Sequence, residues 1–223
     1  MILKTKLFGH VYEFKSVCEV MAKANEEKSG DKLAGIAAET AEERVAAKVV
    51  LSHLTLNDLR NSPAVPYEED EVTRIIQDAV NETIFNEFKN MTVAEFREWL
   101  LDERTTTEMI RHASRGLTSE IVAGVCKLMS NLDLIYAAKK MRVSAHCNTT
   151  IGLPGTFSSR LQPNHTTDDP KGIIASVMEG LSLGCGDAVI GLNPVDDSLE
   201  SVARILKMFD EFKRKWEIGR AHV

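Results

Sequence analysis

Cysteine is scarce in this sequence, and Cys18, Cys126, Cys147 and Cys185 stand far apart, with no C-x-x-C pair and no Cys/His pair at metal-ligand spacing. That excludes a structural zinc site and a disulfide framework, and it fits a reducing compartment. A basic arm or stripe is also missing. The net charge is −6, and Lys and Arg are interleaved with acids, which excludes a protein that grips nucleic-acid phosphates. No run approaches the roughly 18 apolar residues of a membrane span, and the opening MILKTKLFGHVYEF lacks the apolar centre of a signal peptide. A cytoplasmic location is therefore expected, and N-x-S/T triplets such as those at Asn81, Asn148 and Asn164 are chance matches. What remains, 43% hydrophobic and 27% charged residues, is the composition of a soluble globular protein with a sizeable core.

The first two thirds read as helices. Thr40 with Glu43, Thr92 with Glu95 and Thr105 with Glu108 each match a capping signature, in which Thr takes an orphan backbone N–H and Glu reaches back. The segments SVCEVMAKANEEK, TAEERVAAKVVLSHL, EEDEVTRIIQDAVNETIFNEF and VAEFREWLLDE carry apolar residues at three and four spacing, with charges on the other side. The longest such pattern is TSEIVAGVCKLMSNLDLIYAAKK, where Ile121, Val125, Leu128 and Leu132 form a stripe suited to core packing. The acids of YEEDEV mark a helix N-terminus, where the helix dipole favours them.

After Cys147 the texture changes. TFSSRLQP reads as a strand, Asp168-Asp169-Pro170 as a helix start, GIIASVMEGLSL as a helix with an apolar face, and Gly184 as its C-cap. DAVIGLNP is a second strand, and Asp197 with Glu200 opens SLESVARILKMFDEFKRKW. Strand, helix, strand, helix is the βαβ signature of a parallel sheet. Gly184-Cys185-Gly186 follows a helix rather than a strand, so it is a helix stop and not a dinucleotide cradle. His146 and Cys147 are neighbours in an extended segment and point to opposite faces, and His10, His53, His112 and His165 are isolated, so none of them carries a reaction.

Arg160 and Gln162 stand two apart in the first of these strands and share one face. That strand closes with Pro163 and the second with Asn193 and Pro194, and in an α/β barrel the reactive groups sit at such C-terminal strand ends. A guanidinium and two uncharged amides on adjacent strand ends can form one wall of a small-molecule pocket. Equally, Gln162 and Asn193 can satisfy local loop backbone, as Asn before Pro does. The residues alone leave both readings open.

In NTTIGLPGTFSSRLQPN and GDAVIGLNPVDD the chain resembles the ethanolamine ammonia-lyase large-subunit family. The likeness extends from KTKLFGHVYEFKSVCEVMAKANEEKSGD through ERVAAKVVLS, EEDEVTRIIQDAVNET and RGLTSEIVAGVCKLMSNLDLIYAAKKM into the last helix, over nearly all of residues 1–216. The resemblance implies an α/β fold, with a helical N-terminal region at 1–146 and the first two βα units of a TIM-type (β/α)8 barrel at 147–216. It implies an adenosylcobalamin-dependent radical enzyme that converts ethanolamine to acetaldehyde and ammonia. Arg160, Gln162 and Asn193 become substrate contacts, Arg160 with a catalytic role, and Pro194 becomes a cobalamin contact. No protein metal ligand is implied. A small subunit and further copies of the large subunit are the implied partners, and some relatives are packaged in a bacterial microcompartment.

The family pattern runs on past residue 223, where its acidic contacts to the substrate amine lie. The chain is accordingly expected to be a truncated large subunit, inactive alone. EIGRAHV abandons the amphipathic pattern before it, and 217–223 reads as a non-native, adapter-derived tail. Two other functions compete with the enzyme reading: a helical assembly module formed by residues 1–146 without catalysis, and an unrelated barrel enzyme with the same strand-end amides.

Overall fold

Residues 4–13, inside the region read as helical, fold as a β-hairpin. Strands β1 (Lys4–Leu7) and β2 (His10–Glu13) pair antiparallel, with Leu7 opposite His10. Phe8 and Gly9 between them hold φ of 53° and 81°, the two positive values a tight turn needs to match the twist of its strands. The computed structural model describes residues 3–146, 149–186 and 189–216. Its chain divides into two compact units, Met1–Met141 and Arg142–Val223.

The first unit continues with helices α1 (Val17–Lys23), α2 (Ser29–Leu33), α3 (Ala41–His53), α4 (Leu56–Arg60), α5 (Glu71–Asp78), α6 (Glu82–Phe88), α7 (Val93–Leu101), α8 (Thr107–Ser114), α9 (Ser119–Lys127) and α10 (Asn131–Lys140). Two long amphipathic patterns are each broken in two. Asn81 ends the first by accepting the Ile84 N–H and starting α6, while its own N–H donates to the Arg115 carbonyl at 2.8 Å. Ser130 and Asp133 break the second with a reciprocal capping box that starts α10. The expected stripe therefore divides: Ile121 and Val125 are buried on α9, whereas Leu132, on the new helix, is 77% exposed.

Thr92 and Glu95 form the expected capping box, and Thr40 accepts from Glu43 as expected, although the Glu43 carboxylate takes the Glu39 N–H instead of that of Thr40. The cap expected at Thr105 is displaced by one residue. Thr106 accepts from Met109, while buried Thr105 donates to the Trp99 carbonyl at 2.5 Å.

The starts of α4 and α7 satisfy each other. Leu56 N–H reaches the Met91 carbonyl and Val93 N–H the Leu54 carbonyl, so two sets of orphan donors close across one short bridge between Thr55 and Thr92. At the other end of α7, the Lys140 ammonium donates to the carbonyls of Leu100 and Asp102, where the helix dipole favours a cation. The core of this unit gathers Val20, Ala46, Ala47, Leu51, Leu56, Val93 and Ile121, and Phe88, Phe96 and Trp99 stack beside it with ring centroids 5.0–5.8 Å apart.

The second unit begins with a short antiparallel pair, β3 (Ala145–His146) and β4 (Thr150–Ile151). Then follow β5 (Arg160–Leu161), α11 (Pro170–Ser182), β6 (Val189–Ile190) and α12 (Leu199–Trp216). β5 and β6 pair in parallel, as the strand-helix-strand-helix pattern requires. Both strands are shorter than TFSSRLQP and DAVIGLNP suggest, because the ladder closes only at 160–161 against 189–190; Asp187 and Ala188 lie outside the described residues.

Asp169 caps α11 by accepting from Gly172, with Pro170 at the first helical position. Gly184, at φ 78°, closes that helix: its N–H and that of Cys185 bond back to Leu181 and Gly180. The cap of α12 falls on Ser198, which accepts from Ser201, one residue after the expected Asp197. Ile173 and Val177 of α11, Ile205 and Phe209 of α12, and Ile190 with Leu192 form this unit's own core. No helix among the described residues is long and apolar enough to cross a membrane.

Candidate functional site

A strand covered by helices on one side alternates between core and open face. Leu161 packs on the core of the second unit and Pro163 is fully buried, whereas Arg160 and Gln162 are exposed. On the neighbouring strand Ile190 and Leu192 are buried, and Asn193 is exposed. The register pairs Arg160 with Val189, so residues two and four further on, Gly191 and Asn193, continue on the same side as Arg160 and Gln162. Arg160 thus lies on the face turned away from α11 and α12, and Gln162 and Asn193, exposed just past the C-terminal ends of the two parallel strands, follow the same alternation.

Gly191 explains how the guanidinium lies. A Cβ built there would stand 2.8 Å from the Arg160 Cζ and collide with the rest of the guanidinium, so Arg160 reaches across onto its neighbour strand through space that only glycine leaves empty. Pro194 follows Asn193 in the chain, half-buried and with its ring rigid.

The loops after the two strands are tied together by Asp168. Asp168 is 3% exposed, and its carboxylate accepts the N–H of Val195 at 2.9 and 3.0 Å and that of Asp196 at 2.8 Å. These N–H donors, from Asp196 first and then Val195, hold its pKa below the ordinary 3.8 against the opposing effect of burial, with smaller help from Arg204 and His165. The sequence places Asp168 in a helix start, but Asp169 alone caps that helix. Two acids before one proline, where one cap suffices, is the signal that a second role exists.

Two concavities of the first unit are weaker candidates. An enclosed cavity of about 190 Å³ in the first unit is lined by Phe96, Trp99, Ile110, Val125 and Met141 among other apolar groups and offers almost no polar atom to orient a polar ligand. An open groove of about 880 Å³ in the same unit contains Lys48 and Lys127, which already engage Glu26 and Asn25. Cys18, Cys126 and Cys185 are free thiols, Cys147 lies outside the described residues, and no three His, Cys, Asp or Glu among the described residues gather as a metal site.

Comparison with known proteins adds an independent line. Residues 12–223 match the family described as ethanolamine ammonia lyase large subunit. The chain is 59% identical over 206 residues to the ethanolamine ammonia-lyase large subunit of Escherichia coli strain K12, a match covering 92% of this chain and 46% of the relative. The large subunit of Salmonella typhimurium strain LT2 matches with the same identity and coverage. The chain spans about half the length of the curated relatives it matches.

Proposed function

The chain belongs to the ethanolamine ammonia-lyase large-subunit family, and from that premise we propose that it supplies one wall of a site at which ethanolamine is converted to acetaldehyde and ammonia. The observation that carries the reading is the shared open face of Arg160, Gln162 and Asn193 on two parallel strand ends. In a (β/α)8 barrel, typically of about 250 residues, that face turns toward the barrel axis and those ends toward its catalytic mouth.

Physical chemistry divides the roles. A guanidinium only donates hydrogen bonds and repels an ammonium, so Arg160 holds the substrate's hydroxyl oxygen. Gln162 offers its amide oxygen to the amino group, and Asn193 can donate or accept beside it. Arg160 also stabilises negative charge gathering on that oxygen as the adjacent carbon reacts, the service fixed donors render in other enzymes. This makes Arg160 the catalytic residue of the wall and the two amides the groups that orient the amine.

Adenosylcobalamin is the cofactor this reading requires; when bound, it supplies the one-electron chemistry that removes hydrogen from the hydroxyl-bearing carbon. The residues present fit such a group: Pro194 is a rigid, half-buried apolar surface directly after Asn193, suited to lie against a broad macrocycle beside the substrate. The small subunit is the implied partner over the cofactor, and further copies of the large subunit complete the assembly, in the cytoplasm or inside a microcompartment.

Turnover of ethanolamine with adenosylcobalamin, measured in the assembled enzyme carrying this sequence, tests the reading. Arg160→Lys keeps the charge but loses the planar two-pronged donor set, and kcat/KM is expected to fall by about 100-fold. Full turnover by that variant removes Arg160 from the catalytic role.

A further inference from the structure

Asp168 combines features that rarely coincide without a reason. It is a buried carboxylate on a non-glycine backbone with φ of 50°, a conformation that persists only where the surroundings over-determine it. Its own N–H is held by the His165 carbonyl at 3.2 Å, so the loop after β5 is fixed at the residue from which the carboxylate projects. The loop it grips runs largely along the surface. After buried Leu192, residues 193 and 195–199 are exposed, Val195 at 68%, and Ser198 N–H bonds locally to the Asp196 carboxylate. Buried Leu192 anchors this stretch at its start, and of residues 193–199 Pro194 alone is half-buried. Charge-assisted bonds from one carboxylate to two successive N–H groups are the strong kind, and they can set where such a loop sits.

We propose that Asp168 is a positioning residue, which locks the loop after β6 to the loop after β5 and thereby fixes Asn193 and Pro194 relative to Arg160 and Gln162. The lock itself is a matter of geometry. Its consequence for ethanolamine rests on the function proposed above.

Two substitutions separate the lock from the backbone. Asp168→Asn keeps size, tolerance of positive φ and one acceptor oxygen, but it removes the charge and puts an N–H donor where the second oxygen accepted from Val195. Asp168→Gly accepts the φ without strain and removes the acceptor altogether. Amide hydrogen exchange at Val195 and Asp196, measured in the intact chain, is expected to accelerate by about tenfold or more in both variants, as for loss of a charged hydrogen bond. In the assembled enzyme, KM for ethanolamine is expected to rise by about tenfold while kcat and the thermal midpoint change far less. Unchanged exchange at the two amides overturns the lock; faster exchange with an unchanged KM overturns the positioning role. If Asp168→Asn fails to fold, Asp168→Gly decides both points. An unsubstituted enzyme that leaves ethanolamine untouched overturns the function reading alone, because the exchange comparison judges the lock without turnover.

Discussion

At Gly191 one missing methyl group decides where a guanidinium can rest. Its backbone is not in the left-handed region, so alanine meets no conformational penalty there, and the whole effect of Gly191→Ala falls on Arg160. Because Arg160 is exposed and can swing aside, stability should change by less than about 1 kcal/mol. The displaced donor should raise KM for ethanolamine by about tenfold, consistent with a misplaced orienting group. Steady-state kinetics beside a thermal melt checks this, and an unchanged KM would mean that the guanidinium does not act from its present position. Arg160 and Gln162 were legible as a pair from their spacing of two. Gly191 and Asp168 were not, because their importance depends on what lies across the ladder and on how two loops meet, neither of which a single stretch of sequence specifies.

Among the elements, helix starts carry the clearest sequence signal, since a cap is a local bargain between a side chain and N–H groups two or three residues away. Thr92 shows the size of that signal. Thr92→Ala loses the acceptor for the Glu95 N–H and leaves the Glu95 carboxylate with one fewer partner, so stability should fall by about 1 kcal/mol, or a few degrees in melting midpoint. A calorimetric scan showing no shift would mean that the flanking bonds of Val93 and Leu56 suffice to start these helices.

Caps were readable at Thr40 and Thr92, but in Thr105-Thr106-Thr107 consecutive residues offer the same hydroxyl, and the choice went to Thr106 once the Trp99 carbonyl had taken Thr105. The breaks at Asn81 and Ser130 were hidden for a different reason: the apolar spacing continues across each turn, so periodicity alone runs two helices together. The strands of the N-terminal hairpin have four residues each, the shortest run over which alternation can mark a strand.

For the molecule as a whole, the parallel β5–β6 pair is the feature that links sequence to chemistry. Parallel strands are stable when both faces and both edges are covered, and among the described residues this pair has helices on one face and no third strand beside it. The uncovered face carries Arg160, Gln162 and Asn193, and nearby Phe157 is fully exposed. In the barrel reading, further strands close that face into a cavity, which turns exposed polar groups into a dry, preorganised site where fixed donors act most strongly. The βα order and the residues at the strand ends were visible in the sequence. The open face and the lock between its loops required coordinates.

The most direct test of the shared polar face is a crystal structure of the assembled enzyme carrying this sequence with ethanolamine bound. The hydroxyl oxygen is expected within hydrogen-bonding distance of the Arg160 guanidinium, with the amino group beside Gln162 and Asn193. Ethanolamine bound elsewhere, or the three side chains directed into separate surroundings, would contradict the account.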